Sequence, residues 1–241
     1  MNKRSILMAA VVLVLLVHPQ AVRPQQPAIR PVSLGEAMPD FTLPTLQGGE
    51  LHFADLKGKT LILVFLRGLA GKDHWCHVCN YQYMEFVEAE RSGDLRRKEN
   101  LEVVFVLPYD RAMARRWAEA FPAQLKDIAD WKNPPADQQA DPKVRQRMER
   151  YRRAFPKEYR VAAGDFPAPF PILTDGERVL CKGLGVFAEE WSGSKIEQNI
   201  PSVFIVDPQG IVQFKYISQN TLDRPGLPYL LKTIRCVKQA P

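Results

Sequence analysis

Trp75-Cys76-His77-Val78-Cys79 sets two cysteines three residues apart, at the end of a loop that carries Gly68 and Gly71. A disulfide between residues i and i+3 closes a very small ring, which suits the first turn of a helix. There the free backbone N–H groups and the positive end of the helix dipole stabilise a thiolate on the first sulfur. The expected chemistry is a redox dithiol, with Cys76 as nucleophile and Cys79 as the resolving thiol. Cys79, Tyr83, Phe86 and Val87 fall at i, i+4, i+7 and i+8. A helix therefore begins here, turning Cys79 to its buried face and leaving Cys76 at the open end.

Outward from this stretch, residues 61–66 and 101–107 are continuous apolar runs, as expected of parallel strands covered on both faces. Strand, helix and strand in that order imply a right-handed crossover. Phe41-Thr42-Leu43 and Leu51-His52-Phe53 flank a Gln47-Gly48-Gly49 turn and predict a small hairpin. Beyond the second apolar strand, two helical pieces are expected at about 111–130 and 142–155, interrupted by Asn133-Pro134-Pro135. Then come a short strand at 170–173, a helix over 175–186, a hairpin over 202–207 and 211–217, and a closing helix over 228–238.

The 241 residues carry a formal charge of +6. Lys143, Arg145, Arg147, Arg150, Arg152, Arg153, Lys157 and Arg160 crowd one stretch, opposed there by Glu149 and Glu158. No aromatic platform or nucleic-acid motif accompanies them, so nucleic acid is not an expected partner. The simplest reading is a solvated helix face; a docking patch for an acidic partner or a membrane surface is the alternative.

Lys3 and Arg4 precede an apolar run over 6–17 that would span only ~18 Å as a helix, against a bilayer core of ~30 Å. Residues 1–21 thus read as a secretory signal. Pro19-Gln20-Ala21 lacks the small residue that opens an A-x-A cleavage site, so an uncleaved anchor is the alternative and the one expected membrane attachment. Residues 22–32 are rich in Pro and Gln and read as a linker. One domain is expected over 33–239, with a helical insertion at about 111–165. Its setting is expected to be extracytoplasmic, periplasmic or secreted, where cysteines meet an oxidising compartment.

Gly35-Glu36-Ala37-Met38-Pro39-Asp40-Phe41-Thr42-Leu43, then Leu56-Lys57-Gly58-Lys59-Thr60 before a buried strand, then Trp-Cys-x-x-Cys, together resemble extracytoplasmic redoxins. These are thioredoxin-fold proteins of the alkyl hydroperoxide reductase/thiol-specific antioxidant (AhpC/TSA) group. Asn199-Ile200-Pro201-Ser202-Val203-Phe204-Ile205-Val206-Asp207-Pro208-Gln209-Gly210 looks like the family's second signature. The likeness covers roughly 33–110 and 168–238. It implies an α/β thioredoxin-like fold, a central mixed β-sheet flanked by helices. It also implies a cis Ile200–Pro201 bond against the dithiol, with Ile200 offering backbone groups to a docked peptide and Trp75 forming an apolar lip. The activity implied is thiol–disulfide exchange with protein thiols and disulfides and a redox partner, with no cofactor and no metal.

The chain also departs from that pattern. The peroxidase signature P-x-x-x-(T/S)-x-x-C is absent: Asp73 stands three before Cys76, and Cys76 itself three before Cys79. A peroxiredoxin-like peroxidase acting on hydroperoxides is therefore the second reading. A third is a metal-binding or chaperone module built on His74, Cys76, His77 and Cys79. No histidine follows His77 to complete a distant ligand set, and Asn80 stands where covalent haem would need histidine. A protonated His77, and less so His74, would favour the Cys76 thiolate; the plainer alternative is two solvent-facing rings. Arg67 reads as a cation near the thiolate or as a solvated strand-end charge. Cys181 and Cys236 are a second disulfide or two buried free thiols.

Overall fold

The structure, a computed structural model, describes residues 29–239. The expected signal segment and most of the expected linker lie outside these residues. Val32, at the linker's end, is buried in the core.

The expected first hairpin is β1 (Thr42–Pro44) with β2 (Glu50–His52). The apolar run becomes β3 (Thr60–Phe65), buried throughout. A small ribbon of β4 (Leu69–Gly71) and β5 (His74–Trp75) then delivers the chain to α1 (His77–Gly93). A short α2 (Leu95–Glu99) leads into β6 (Leu101–Leu107), which pairs parallel to β3 as the crossover requires.

The stretch expected to be an insertion holds α3 (Arg111–Lys132) and α4 (Pro142–Ala154), broken at Asn133-Pro134-Pro135, and forms the crossover to the next parallel strand. Proline lacks the N–H that a continuing helix would donate, and α4 restarts with Pro142 in its first turn behind an Asp141 cap. After it come β7 (Ile172–Thr174), α5 (Val179–Gly183) and the short pair β8 (Phe187–Ala188) and β9 (Gln198–Asn199). The chain ends in the antiparallel β10 (Ser202–Val206) and β11 (Val212–Ile217), then α6 (Leu227–Gln239).

The five-stranded sheet has the order β11-β10-β3-β6-β7, antiparallel on the β10–β11 side and parallel across β3-β6-β7. This is the mixed, thioredoxin-like sheet expected. Side chains alternate between its faces. Ile62, Val64, Val103 and Phe105 meet α1, α3 and α6 on one face. Leu61, Leu63, Phe65, Val104 and Val106 meet α5 and the N-terminal segment on the other. Among the described residues no helix is long and apolar enough to cross a membrane.

Two expectations about backbone are corrected. The helix expected over 175–186 is only the five residues of α5, because Asp175 folds back to cap it. Its carboxylate accepts from Val179 N at 2.9 Å and Cys181 N at 2.8 Å, and Gly185, at φ +72°, follows its end. No cis peptide bond occurs among the described residues, so Ile200–Pro201 is trans. The trans path carries β9 straight into β10, with Ile200 N donating to Val186 O at 2.7 Å and Pro201 O accepting from Ser218 N at 2.9 Å.

Candidate active site

The loop after β3 sets the geometry. Gly68, at φ +79°, turns the chain so that its carbonyl accepts from Cys76 N at 2.9 Å. A Cβ at Gly68 would stand 2.4 Å from the Tyr109 ring, so glycine alone fits. Tyr109 Oη accepts from Leu69 N at 2.8 Å, and its ring meets Trp75 edge-on at 5.8 Å. Trp75 is thereby fixed as apolar wall immediately before the first sulfur, and it is buried.

Cys76 is the N-cap of α1. Its sulfur accepts from Cys79 N at 3.4 Å, as a thiolate at a helix start should. Cys79 lies one turn in, and its sulfur accepts from Arg67 N at 3.1 Å. All four cysteines are free thiols, so this is the dithiol form.

The expected exposed Cys76 is corrected: it is 5% exposed and Cys79 1%. The cause is Arg224, from the segment between β11 and α6. Its guanidinium donates from Nη2 to Cys76 Sγ at 3.2 Å and from Nη1 to Cys79 Sγ at 3.1 Å. Arg224 Nε is buried without a partner among the described residues. The segment is held by Asp223, whose carboxylate accepts from Gln219 N at 2.7 Å and Asn220 N at 3.2 Å. At its base is the Ser218–Pro201 hydrogen bond. Pro201 thus supports the strand end that delivers Arg224.

The two sulfurs are driven apart electrostatically. Burial alone would push both thiols up. At Cys76 that is overcome by the Cys79 thiol's hydrogen bond, the charge and hydrogen bond of Arg224, and the Cys79 N–H, which together hold it well below the usual thiol range. At Cys79 burial dominates, the adjacent Cys76 adds to it, and the thiol is held well above. Arg224 stays charged because the sulfurs opposite it outweigh its own burial.

The two histidines differ: His74 faces solvent, as the plainer alternative had it, and His77 does not. His77 is buried rather than solvent-facing; its Nε2 meets Asp127 Oδ2 of α3 at 3.0 Å, and its ring lies 4.3 Å from Trp131. It couples α1 to the insertion. His74 is exposed and its ring lies tilted against His77 at 4.8 Å; partial burial and then His77 lower its pKa. Among the described residues no three His, Cys, Asp or Glu side chains converge as metal ligands would.

Arg67 is buried at 5%, not solvated. Its Nε donates to Gln198 Oε1 at 2.6 Å, and its guanidinium covers the Trp191 ring at 5.0 Å. Asn199 N donates to Arg67 O at 3.2 Å, which places β9 beside the dithiol loop. Ile200 N donates to Val186 O, and its carbonyl accepts from the Ser202 hydroxyl at 2.8 Å, which leaves that carbonyl its second lone pair. Cys236 is exposed on α6, whereas Cys181 is buried in the core across the sheet, and the two are not bonded. A cavity of about 720 Å³ lies away from the sulfurs, lined by residues that include Phe41, Leu43, Asp110, Asp175 and Leu180.

The profile of the AhpC/TSA family matches residues 34–215. The chain belongs to that family. A thiol-dependent redox function comes with the AhpC/TSA assignment. No curated protein sequence matches the chain. Solved structures share its fold. AhpC of Mycobacterium tuberculosis is 14% identical with a TM-score of 0.53, covering 87% of this chain and 94% of that one. The reduced 2-Cys peroxiredoxin of Plasmodium vivax is 15% identical with a TM-score of 0.52, covering 86% and 83%. A thiol peroxidase from Chromobacterium violaceum is 14% identical with a TM-score of 0.51, covering 89% and 93%.

Arg224 is the site residue that the sequence reading missed. It stands 148 positions from Cys76, in a segment of turn residues ahead of Pro225 and Gly226, with no periodic pattern to mark it.

Proposed function

We propose that this AhpC/TSA protein is an extracytoplasmic thiol–disulfide oxidoreductase acting on protein thiols. The observation that carries the reading is the pair of sulfurs at one helix start under a shared Arg224 guanidinium, with the Cys76 thiol held low and the Cys79 thiol held high. Cys76 attacks one sulfur of a substrate disulfide; the S–S bond breaks and the departing thiolate takes up a proton. Cys79 then gives its proton to the second leaving thiolate and attacks Cys76 of the mixed disulfide. The substrate leaves as a dithiol and the 76–79 disulfide remains. β3 carries no carboxylate to take the Cys79 proton, so the leaving thiolate is the acceptor. Because Arg224 covers both sulfurs, its side chain must swing aside for each attack. Its two hydrogen bonds to sulfur are the contacts broken.

Equilibrating the full chain with reduced and oxidised glutathione, and mapping the disulfides by mass spectrometry, tests the reading. Reversible formation of the 76–79 disulfide is expected. If the pair stays unpaired across the whole range, the reading fails.

A second reading, peroxidase activity, is favoured by family membership and by a guanidinium lying against the Cys76 sulfur. Cys76 would attack a hydroperoxide oxygen, giving sulfenic acid and an alcohol or water, and Cys79 would condense with it, releasing water. The carboxylate expected to mark a departure, Asp73, is 3.9 Å from Arg116 and exposed, so no hydroxyl takes the signature's place there. Stoichiometric oxidation of Cys76 within the mixing time by hydrogen peroxide would put this reading first.

A further inference from the structure

The insertion docks on the helix that carries the dithiol. Trp117 Nε1 donates to Asn80 Oδ1 at 2.8 Å, Asn80 donates to Gln124, and His77 meets Asp127. Its second helix, α4, turns only Met148 fully into the core. On its outer side Lys143, Arg147, Arg150 and Arg153 follow at spacings of four, three and three, so they form one row. All four are exposed, and none makes an ion pair among the described residues. Glu149 flanks the row without an ion pair among the described residues. Like charges at these spacings repel, so the row costs the isolated helix stability.

Beside the row lies a groove of about 410 Å³ whose lining includes Trp131, Pro134, Val144, Arg147 and Tyr151, and also Asp130 and Gln138. Asp130 is already paired with Lys126 at 2.5 Å. Trp131 stacks on Tyr151 at 5.1 Å and meets the His77 ring at a tilt, 4.3 Å away. One aromatic ring therefore separates the groove from the residue that follows the attacking cysteine.

We infer that α4 and this groove form the docking surface for an acidic segment of a protein partner. Carboxylates of that segment meet the Lys143–Arg153 row, and a proline or aliphatic side chain enters the Trp131–Tyr151 groove. Charge complementarity selects the acidic partner. A lipid surface fits less well, because the large hydrophobics exposed in the described residues are Leu34, Val179, Leu222 and Tyr229, none of them on the insertion. The inference rests on the oxidoreductase reading for the claim that the docked partner is a substrate, and the test separates the two.

Binding is measured on the full chain with a labelled, cysteine-free peptide rich in glutamate and bearing one proline–leucine pair. The same peptide with lysine for glutamate is the control. Exchange is measured with a disulfide-containing version of the acidic peptide and, separately, with glutathione disulfide. The acidic peptide is expected to bind at least about tenfold tighter than the lysine peptide, and less tightly as salt rises. Arg147→Glu with Arg150→Glu abolishes that preference and slows exchange with the acidic peptide about tenfold, while glutathione exchange is unchanged. Lys143→Gln with Arg153→Gln, which leaves the groove wall intact, lowers peptide affinity in the same direction.

Equal binding of both peptides, or wild-type affinity in both variants, overturns the docking surface. So does tighter binding to phosphatidylglycerol vesicles or to a single-stranded oligonucleotide than to the peptide. If the peptide binds as expected but neither disulfide exchanges, the oxidoreductase reading falls while the docking surface stands.

Discussion

Each face of the central sheet buries a cysteine beside an ionisable neighbour, and the two neighbours have opposite sign. On the α1 face, Cys76 lies against the Arg224 guanidinium and is held low. On the α5 face, Cys181 is wholly buried beside Asp175; burial first, then that carboxylate's charge and hydrogen bond, push its thiol well up. Depth is nearly the same at 5% and 0% exposure, so depth does not separate a reactive sulfur from an inert one. Between Cys76 and Cys181 the sign of the neighbour differs, but Cys79, beside the same guanidinium at 3.1 Å, is held up by burial and by Cys76, so position in the helix start counts as well. Geometry agrees: Cys76 caps a seventeen-residue helix, whereas Cys181 sits inside a five-residue one whose start Asp175 already occupies.

The sharpest way to break this comparison is to remove each sulfur in turn. Cys76→Ser is expected to take disulfide exchange to the uncatalysed rate, and Cys181→Ser to leave it within about twofold, as a difference between a nucleophile and a core thiol should. Equal losses, measured by steady-state exchange, would erase the distinction. Next is the partner itself. The lowered Cys76 pKa means that its alkylation by iodoacetamide stays fast at neutral pH and slows only as pH falls through the folded value. Arg224→Gln moves that fall upward toward ~8.5, lowering the rate at neutral pH about tenfold for each unit by which the pKa comes to exceed the pH.

The same lowering carries a sign for stability. The thiolate contributes stability that is complete above the unfolded value of ~8.5 and is lost as pH descends through the folded one. In the Arg224→Gln protein that dependence flattens, as denaturant melts at several pH values would record. Smaller still is a backbone test. Gly68→Ala forces a positive-φ residue to carry a Cβ into the Tyr109 ring and is expected to cost about 1–3 kcal/mol by urea unfolding. A neutral result would mean that the turn before the dithiol relaxes more easily than its packing suggests.

Local patterns were readable where local physics decides them. The apolar run of β3, the helix that begins at the dithiol, the break at Asn133-Pro134-Pro135 and the β10–β11 hairpin all follow from side-chain period and turn chemistry. The family was readable from short motifs. Features that depend on distant packing were not. Cys76 is covered by a side chain delivered from far along the chain, and His77 is drawn to an aspartate on the insertion rather than left in solvent. The cis bond at Pro201 was expected from resemblance alone, whereas in this chain the strand continues through a trans bond with its hydrogen bonds in register. The helix expected over 175–186 fails for a local reason, since Asp175 and Gly185 stop it at either end.

One guanidinium shared by two sulfurs has a consequence for the direction of electron flow. Arg224 is matched by negative charge only while the pair is reduced; once a disulfide forms, the cation keeps its depth and loses its anion. For the exchange proposed above, this raises the reduction potential of the pair over that of an unassisted dithiol, so the step runs more readily in reverse, with a 76–79 disulfide taking electrons from substrate thiols.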